Sequence, residues 1–229
     1  MTNYVKLVNK VLVRMNEVPL DEAGDGFDSA RGPQALAKAA VNNSIRLILQ
    51  QAQEWPFLKT PYVQTLTPGT REYNYPADWS SSDTDTYYVK YTPILNNTAQ
   101  AIKVITYEDY IQNHRSDDDM GDEGAPLRVY QTYENKFGVS PTPDEAYEVE
   151  YVYWSFPEDL TLPTDTCIIP SRFDPTIVDG AMMYMMRFRS NEQSAAVHQK
   201  AFEEGIDAMR RVLFDDLLNV RSTVIVGRS

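Results

Sequence analysis

The stretch SDDDMGDEG, Ser116–Gly124, sets five carboxylates in nine residues. Acid at that density is what a bound divalent cation or an acid–base pair requires. As a helix–loop–helix calcium loop it fails in both registers. Counting from Asp117, the sixth position is Asp122, where the turn needs glycine, and the twelfth is Arg128, where a bidentate glutamate is needed. Counting from Asp119, Gly124 fits the sixth position, but Gly121 supplies no oxygen at the third and Tyr130 fills the twelfth. The expectation is solvated acid on a loop, with Asp117, Asp118, Asp119, Asp122 and Glu123 facing outward.

Other chemistry is equally thin. His114 and His198 have no partner at metal-ligand spacing, and the single cysteine, Cys167, lies between apolar neighbours as a buried thiol does. No Gly-rich phosphate loop and no G-x-S-x-G elbow occurs. Trp79, Trp154 and the many tyrosines fit a sugar-stacking platform, but such residues more often fill a sheet core as cross-strand pairs. Neither catalytic nor metal-binding residues are assigned, and no cofactor is expected.

The elements that would carry these residues follow from periodicity. Val5, Val8, Leu12 and Met15 form one stripe of a first helix, capped by Thr2 or Asn3. Pro33 suits a first helical turn, and Ala37, Val41, Ile48, Ala52 and Trp55 mark a second helix that Pro56 ends. Between Thr60 and Asp165 the period changes. YVQTL, REYNY, TYYVKY, AIKVIT, LRVYQTY, KFGVS and YEVEYVYW read as strands, the last two as a hairpin joined by SPTPDE. Thr106 can cap a short helical turn. Helical period returns at Asp174–Pro175, with Val178, Ala181, Met182 and Met185 buried. Ser190 with Gln193 has the capping-box spacing for a last helix, whose stripe is Phe202, Ile206, Met209, Leu213 and Leu217.

The predicted fold class is therefore α+β. Residues 1–59 and 166–218 build a helical bundle from both chain ends, residues 60–165 an inserted antiparallel β domain, and residues 219–229 a tail. Of the 229 residues, the β segment 60–165 holds nineteen acids against six bases, and the remainder fourteen against fifteen. Such a segment repels nucleic acid. The opening MTNYVKLVNKVLVRM is broken by Lys6, Lys10 and Arg14 and is no signal peptide, and AMMYMM is far short of a membrane span. A soluble protein without membrane contact is expected.

Three stretches resemble one family. VNKVLVRMNEVPLDE, QAQEWPFLK with Trp55, Pro56 and Phe57, and TDTCIIPSRFDPTIVDGAMMYMMRFRSNEQ are similar to the tail tubular protein A-like adaptors of short-tailed bacteriophages. The resemblance implies a virion protein at the head–tail junction. Its helical bundles would form a ring, commonly of twelve subunits, between the portal protein and the next tail or nozzle protein, with DNA passing through without specific binding. It implies no catalysis. In that setting the acid-free tail would bind portal through Arg221, Thr223, Val224, Ile225, Val226 and Arg228. Arg187, Arg189, Arg210 and Arg211 against Glu203 and Glu204 would pair between subunits, or equally within one helix. The five acids would face the tail partner or the channel. Two other readings remain: a stopper-type neck protein, and a carbohydrate-binding tail module.

Overall fold

The computed structural model describes residues 1–21, 26–52, 54–90 and 99–219. The chain divides into two compact units, Met1–Phe57 with Pro157–Ser229, and Leu58–Phe156. The α+β class stands, with helices at both ends and the strands between them.

The first unit is helical. α1 spans Tyr4–Arg14 and buries Tyr4, Val5, Leu7, Val8, Val11 and Leu12, so the apolar face is wider than a single stripe. Burying a side chain of that size stabilises by about 1.5–3 kcal/mol. No side chain caps α1. Its first amide is instead satisfied by the carbonyl of Asp165 at 2.8 Å, beside an isolated bridge between Asn3 and Thr166. α2 spans Pro33–Gln51, shorter than predicted. Ala52 is already extended, and Trp55 folds back so that its indole Nε1 donates to the carbonyl of Ile48 at 2.9 Å. The buried indole NH needs an acceptor, and the last turn of α2 has free carbonyls.

α5 spans Asp174–Phe188 and packs on α1, α2 and α6, the last spanning Glu192–Asn219. Two glycines permit the approach. A Cβ on Gly180 would stand 2.2 Å from Ser44 Oγ and 2.7 Å from Phe202 Cε2, and one on Gly205 would stand 2.5 Å from Thr176 Oγ1. Ser44 uses the proximity, donating to the carbonyl of Ile177 at 2.8 Å. The cap of α6 differs from the expected capping box. Ser190 has φ +54°, and Asn191 Oδ1 accepts from the amide of Ser194 at 3.1 Å. Asparagine is the better acceptor here because it stands three residues before that amide.

The second unit is two sheets around one core. β1 (Lys59–Thr65), β9 (Glu148–Ser155), β4 (Tyr88–Lys90) and β5 (Ala99–Ala101) lie in that order, with β3 (Trp79–Ser82) also pairing β9. The other sheet runs β2 (Glu72–Asn74), β8 (Lys136–Ser140), β7 (Arg128–Gln131), β6 (Lys103–Ile105). Val149, Tyr151 and Tyr153 on β9, and Tyr147 just before it, face the shared core, as alternation predicts, with Phe137 and Val139 from β8.

One expectation fails here. KFGVS and YEVEYVYW are not a hairpin; β8 and β9 belong to different sheets. Every pairing of β9 goes to β1, β3 or β4, leaving no edge for β8, and the linker with Pro141 and Pro143 crosses between sheets. The described sheets are mainly antiparallel, as expected, with one parallel pair. β6 and β7 pair in parallel, and a parallel pair needs a crossover long enough to turn back. That crossover carries α3 (Tyr107–Asn113) and α4 (Arg115–Asp119).

Candidate interaction surfaces

The acid-rich stretch is the crossover itself. Thr106 caps α3 as predicted, its Oγ1 accepting from the amide of Asp109 at 3.1 Å. α4 is a single turn that closes on itself. The amide of Asp122 reaches the carbonyl of Asp117 at 3.1 Å, and Gly121 takes φ +93°, a conformation open to glycine and costly to other residues. The end is tied down through the amide of Gly124 to the carbonyl of Thr142 at 2.8 Å.

The five carboxylates therefore do not share one environment. Asp117, Asp122 and Glu123 are exposed. Asp118 is not the solvated acid expected of it. It is only 5% exposed, its Oδ1 accepts from Ser140 Oγ at 3.4 Å, and burial raises its pKa against the opposing pull of Tyr110, Ser140 and Arg71. α4 turns one of its faces onto the sheet, and Asp118 occupies that face. Asp119 goes the other way. Arg71 Nη1 donates to its Oδ1 at 2.9 Å and holds its carboxyl below the usual range, with Arg115 Nε at 3.5 Å from Oδ2. The same Arg71 nitrogen donates to Tyr110 Oη at 3.1 Å, locking α3, α4 and the start of β2 together. Among the described residues no group of three His, Cys, Asp or Glu side chains could hold a metal ion.

In the helical unit, each of the six residues expected between subunits has a partner within the chain. Arg187 Nη2 donates to Gln199 Oε1 at 2.9 Å, and Gln199 Nε2 donates to Glu203 Oε1 at 2.9 Å. Arg189 pairs with Glu17 at 2.5 Å, and Glu204 with Lys200 at 3.8 Å. Arg210 reaches the carbonyl of Gln51 at 2.9 Å and Asp207 at 3.5 Å, and Arg211 Nε the carbonyl of Asp207 at 3.4 Å. All lie on exposed surface, where such pairs are worth about 0–1 kcal/mol. Arg187, Glu203, Asp207 and Arg210 rim a groove of about 620 Å³ between α2, α5 and α6, floored by Met183, Phe202 and Ile206.

Sequence reasoning missed a second surface. Lys6, Lys10 and Arg14 recur every four residues along α1 and line an open groove of about 580 Å³ against α5. Lys10 Nζ lies 2.6 Å from Asp174 Oδ2, which also accepts from Thr2 Oγ1 at 2.7 Å. Arg14 pairs with Asp179 at 2.6 Å, and His198 Nδ1 stands 3.3 Å from the same oxygen. The i, i+4, i+8 spacing of the three bases was visible in the sequence; the acids that answer Lys10 and Arg14 lie more than 160 residues away and were not. Arg221, Thr223, Val224, Ile225, Val226 and Arg228 lie outside the described residues.

Among the described residues, the helical unit presents exposed ion pairs and open grooves, and the sheet unit an acid-rich crossover, surfaces suited to contact with other proteins. Comparison with known families makes this specific. A profile of the SU10 adaptor protein family matches residues 2–225, nearly the whole chain. The chain belongs to that family, one of structural phage adaptors. A comparison with curated proteins gave no match. No described helix is long and apolar enough to cross a membrane.

Proposed function

We propose that the chain is a head-to-tail adaptor, a virion protein that forms a ring between portal and the next tail component around the DNA channel. The observation that carries this reading is the family match over residues 2–225. The likeness of VNKVLVRMNEVPLDE and QAQEWPFLK to tail tubular protein A-like adaptors adds the short-tailed setting and a ring of twelve.

In this reading the helical unit makes the ring. Grooves that are apolar at the floor and ringed by exchangeable charge suit contact between copies, because the exposed pairs cost little to rearrange and the apolar area supplies the affinity. Arg187, Arg189, Arg210 and Arg211, with Glu203 and Glu204, would exchange their present partners for those of a neighbour. The acid-rich sheet unit would meet the tail side, where Asp117, Asp122 and Glu123 oppose any hold on passing DNA. Residues 219–229 would engage portal through Arg221, Thr223, Val224, Ile225, Val226 and Arg228.

The test is mass photometry and negative-stain imaging of the purified chain with the portal protein of the same phage. Rings seated on portal are expected, and deletion of residues 223–229 should abolish seating while leaving the far-UV circular dichroism unchanged. Monomers that never engage portal would overturn the reading. Virion crosslinks to tail proteins but never to portal would favour a stopper instead.

A further inference from the structure

The crossover and the β7–β8 tip together present a partly exposed aromatic face. Tyr107 and Ile111 stand one turn apart on α3, so their side chains neighbour each other. Tyr133 sits at the tip between β7 and β8, and its ring meets that of Tyr107 edge-on at 5.0 Å. Tyr133 is 80% exposed and Ile111 41% exposed. Tyr107 is anchored from below, its ring 5.8 Å from that of Tyr130, which is stacked on Tyr110 at 3.8 Å.

The exposed ring is held in place. The tip is closed by the amide of Thr132 to the carbonyl of Lys136 at 2.9 Å, and Asn135 supplies the left-handed residue with φ +59°. Tyr133 Oη donates to Glu108 Oε1 at 3.0 Å. A fixed tyrosine loses little freedom on binding, which is why tyrosine serves so well at interfaces. The surroundings select the partner's charge. From Tyr107 to Glu134 there are eight acids and two arginines, and Arg115 of these is paired with Asp119. Glu108 touches the Tyr133 hydroxyl, while Glu134, which follows Tyr133, is already paired with Lys136 at 2.6 Å. Among the described residues no cation of the chain lies over the Tyr133 or Tyr107 ring.

We propose that Tyr107, Ile111 and Tyr133 form a docking surface for a basic, apolar protein segment, with an arginine or lysine over the Tyr133 ring beside Glu108. The ring face attracts the cation, Glu108 completes its pairing, and Ile111 takes an adjacent aliphatic side chain. That the segment belongs to the next tail component rests on the head-to-tail reading; the chemistry of the surface does not.

The test uses the purified full chain and a fluorescein-labelled peptide of alternating arginine and leucine, with a glutamate–leucine peptide as control, followed by anisotropy at low and moderate salt. Saturable binding of the basic peptide alone is expected. Tyr133→Ala and Ile111→Ser leave the charge unchanged and should each weaken it at least tenfold, whereas Tyr133→Phe, which keeps the ring, should lose less than threefold. Binding that is absent, or equal in all variants and set only by salt, would overturn the proposal, since net charge alone would then explain it. Circular dichroism of each variant checks that these surface changes leave the fold intact. Portal imaging involves none of these residues, so failure here and failure of the adaptor reading are read separately.

Discussion

The helical unit and the sheet unit solve the same problem by opposite means. Each must hold several elements in register with little surface to spare. The helical unit does so by close backbone approach, with Gly180 and Gly205 removing the side chains that would keep α5 from α2 and α6. The sheet unit fills its interior with rings: Tyr73, Tyr75, Tyr87, Tyr147, Tyr151, Tyr153 and Phe137 share one cluster. Helices bring ridges that can interlock if small residues let them, whereas short twisted strands leave gaps that only large side chains bridge. The first unit is thus intolerant of added volume, and the second of misplaced hydroxyls.

The comparison breaks most visibly at Gly180. Valine there would place its Cβ inside the contact distance of Ser44 and Phe202, at 2.2 Å and 2.7 Å. Helix propensity favours the change by less than about 1 kcal/mol, and overpacking opposes it by about 1–3 kcal/mol or more. Gly180→Val should therefore lose about 3 kcal/mol in urea denaturation followed at 222 nm, and the Ser44–Ile177 hydrogen bond with it. A variant as stable as the parent would mean that α5 does not approach α2 and α6 this closely.

Tyrosine hydroxyls sharpen the other side. Tyr73 Oη accepts from the amide of Thr67 at 2.9 Å and donates to the carbonyl of Thr70 at 2.7 Å, closing the turn before β2. Among the described residues, Tyr151 Oη is buried without a hydrogen-bond partner, at the centre of four neighbouring tyrosine rings and Phe137. A bonded hydroxyl contributes about 1 kcal/mol and an orphaned buried one costs about as much. Tyr73→Phe should lower stability by about 1–2 kcal/mol and Tyr151→Phe raise it by about 1 kcal/mol, both measured by chemical denaturation. Equal effects of either sign would remove the distinction.

How much of this was legible depended on range. The faces of α1 and α5, the Thr106 cap and the inward tyrosines of β9 were visible because periodicity and capping are local. β3 was missed: Trp79–Ser82 is three serines after a tryptophan, and its strand character comes from pairing with β9. β8 and β9 were joined wrongly because local pattern says which residues form strands but not which partner each will find. The acid stretch fell between these cases. Its composition was plain, yet whether a given aspartate faced water depended on Ser140 and Arg71, which lie more than twenty residues away in the chain. The candidate surfaces show the same limit, since the bases of α1 could be counted and the acids that meet them could not.

Asp118 and Asp119 give the finest comparison, as neighbours whose titrations oppose each other. Burial raises the pKa of Asp118 above its ordinary 3.8. From pH 3.8 up to its folded value, the folded chain therefore keeps a proton that the unfolded chain has lost, and stability falls as pH rises through that window. Arg71 lowers the pKa of Asp119, so its contribution is present above the unfolded value and is lost as pH falls through the folded one. Asp118→Asn should match the parent in acid and exceed it at neutral pH, the carboxylate's desolvation being removed while Ser140 keeps an acceptor. Asp119→Asn should also match the parent in acid but fall below it at neutral pH, by an amount that shrinks with added salt because the pair is exposed. Denaturation curves from pH 3 to 7 decide the matter. If both variants move the same way, α4 does not sort its two carboxylates between sheet and solvent.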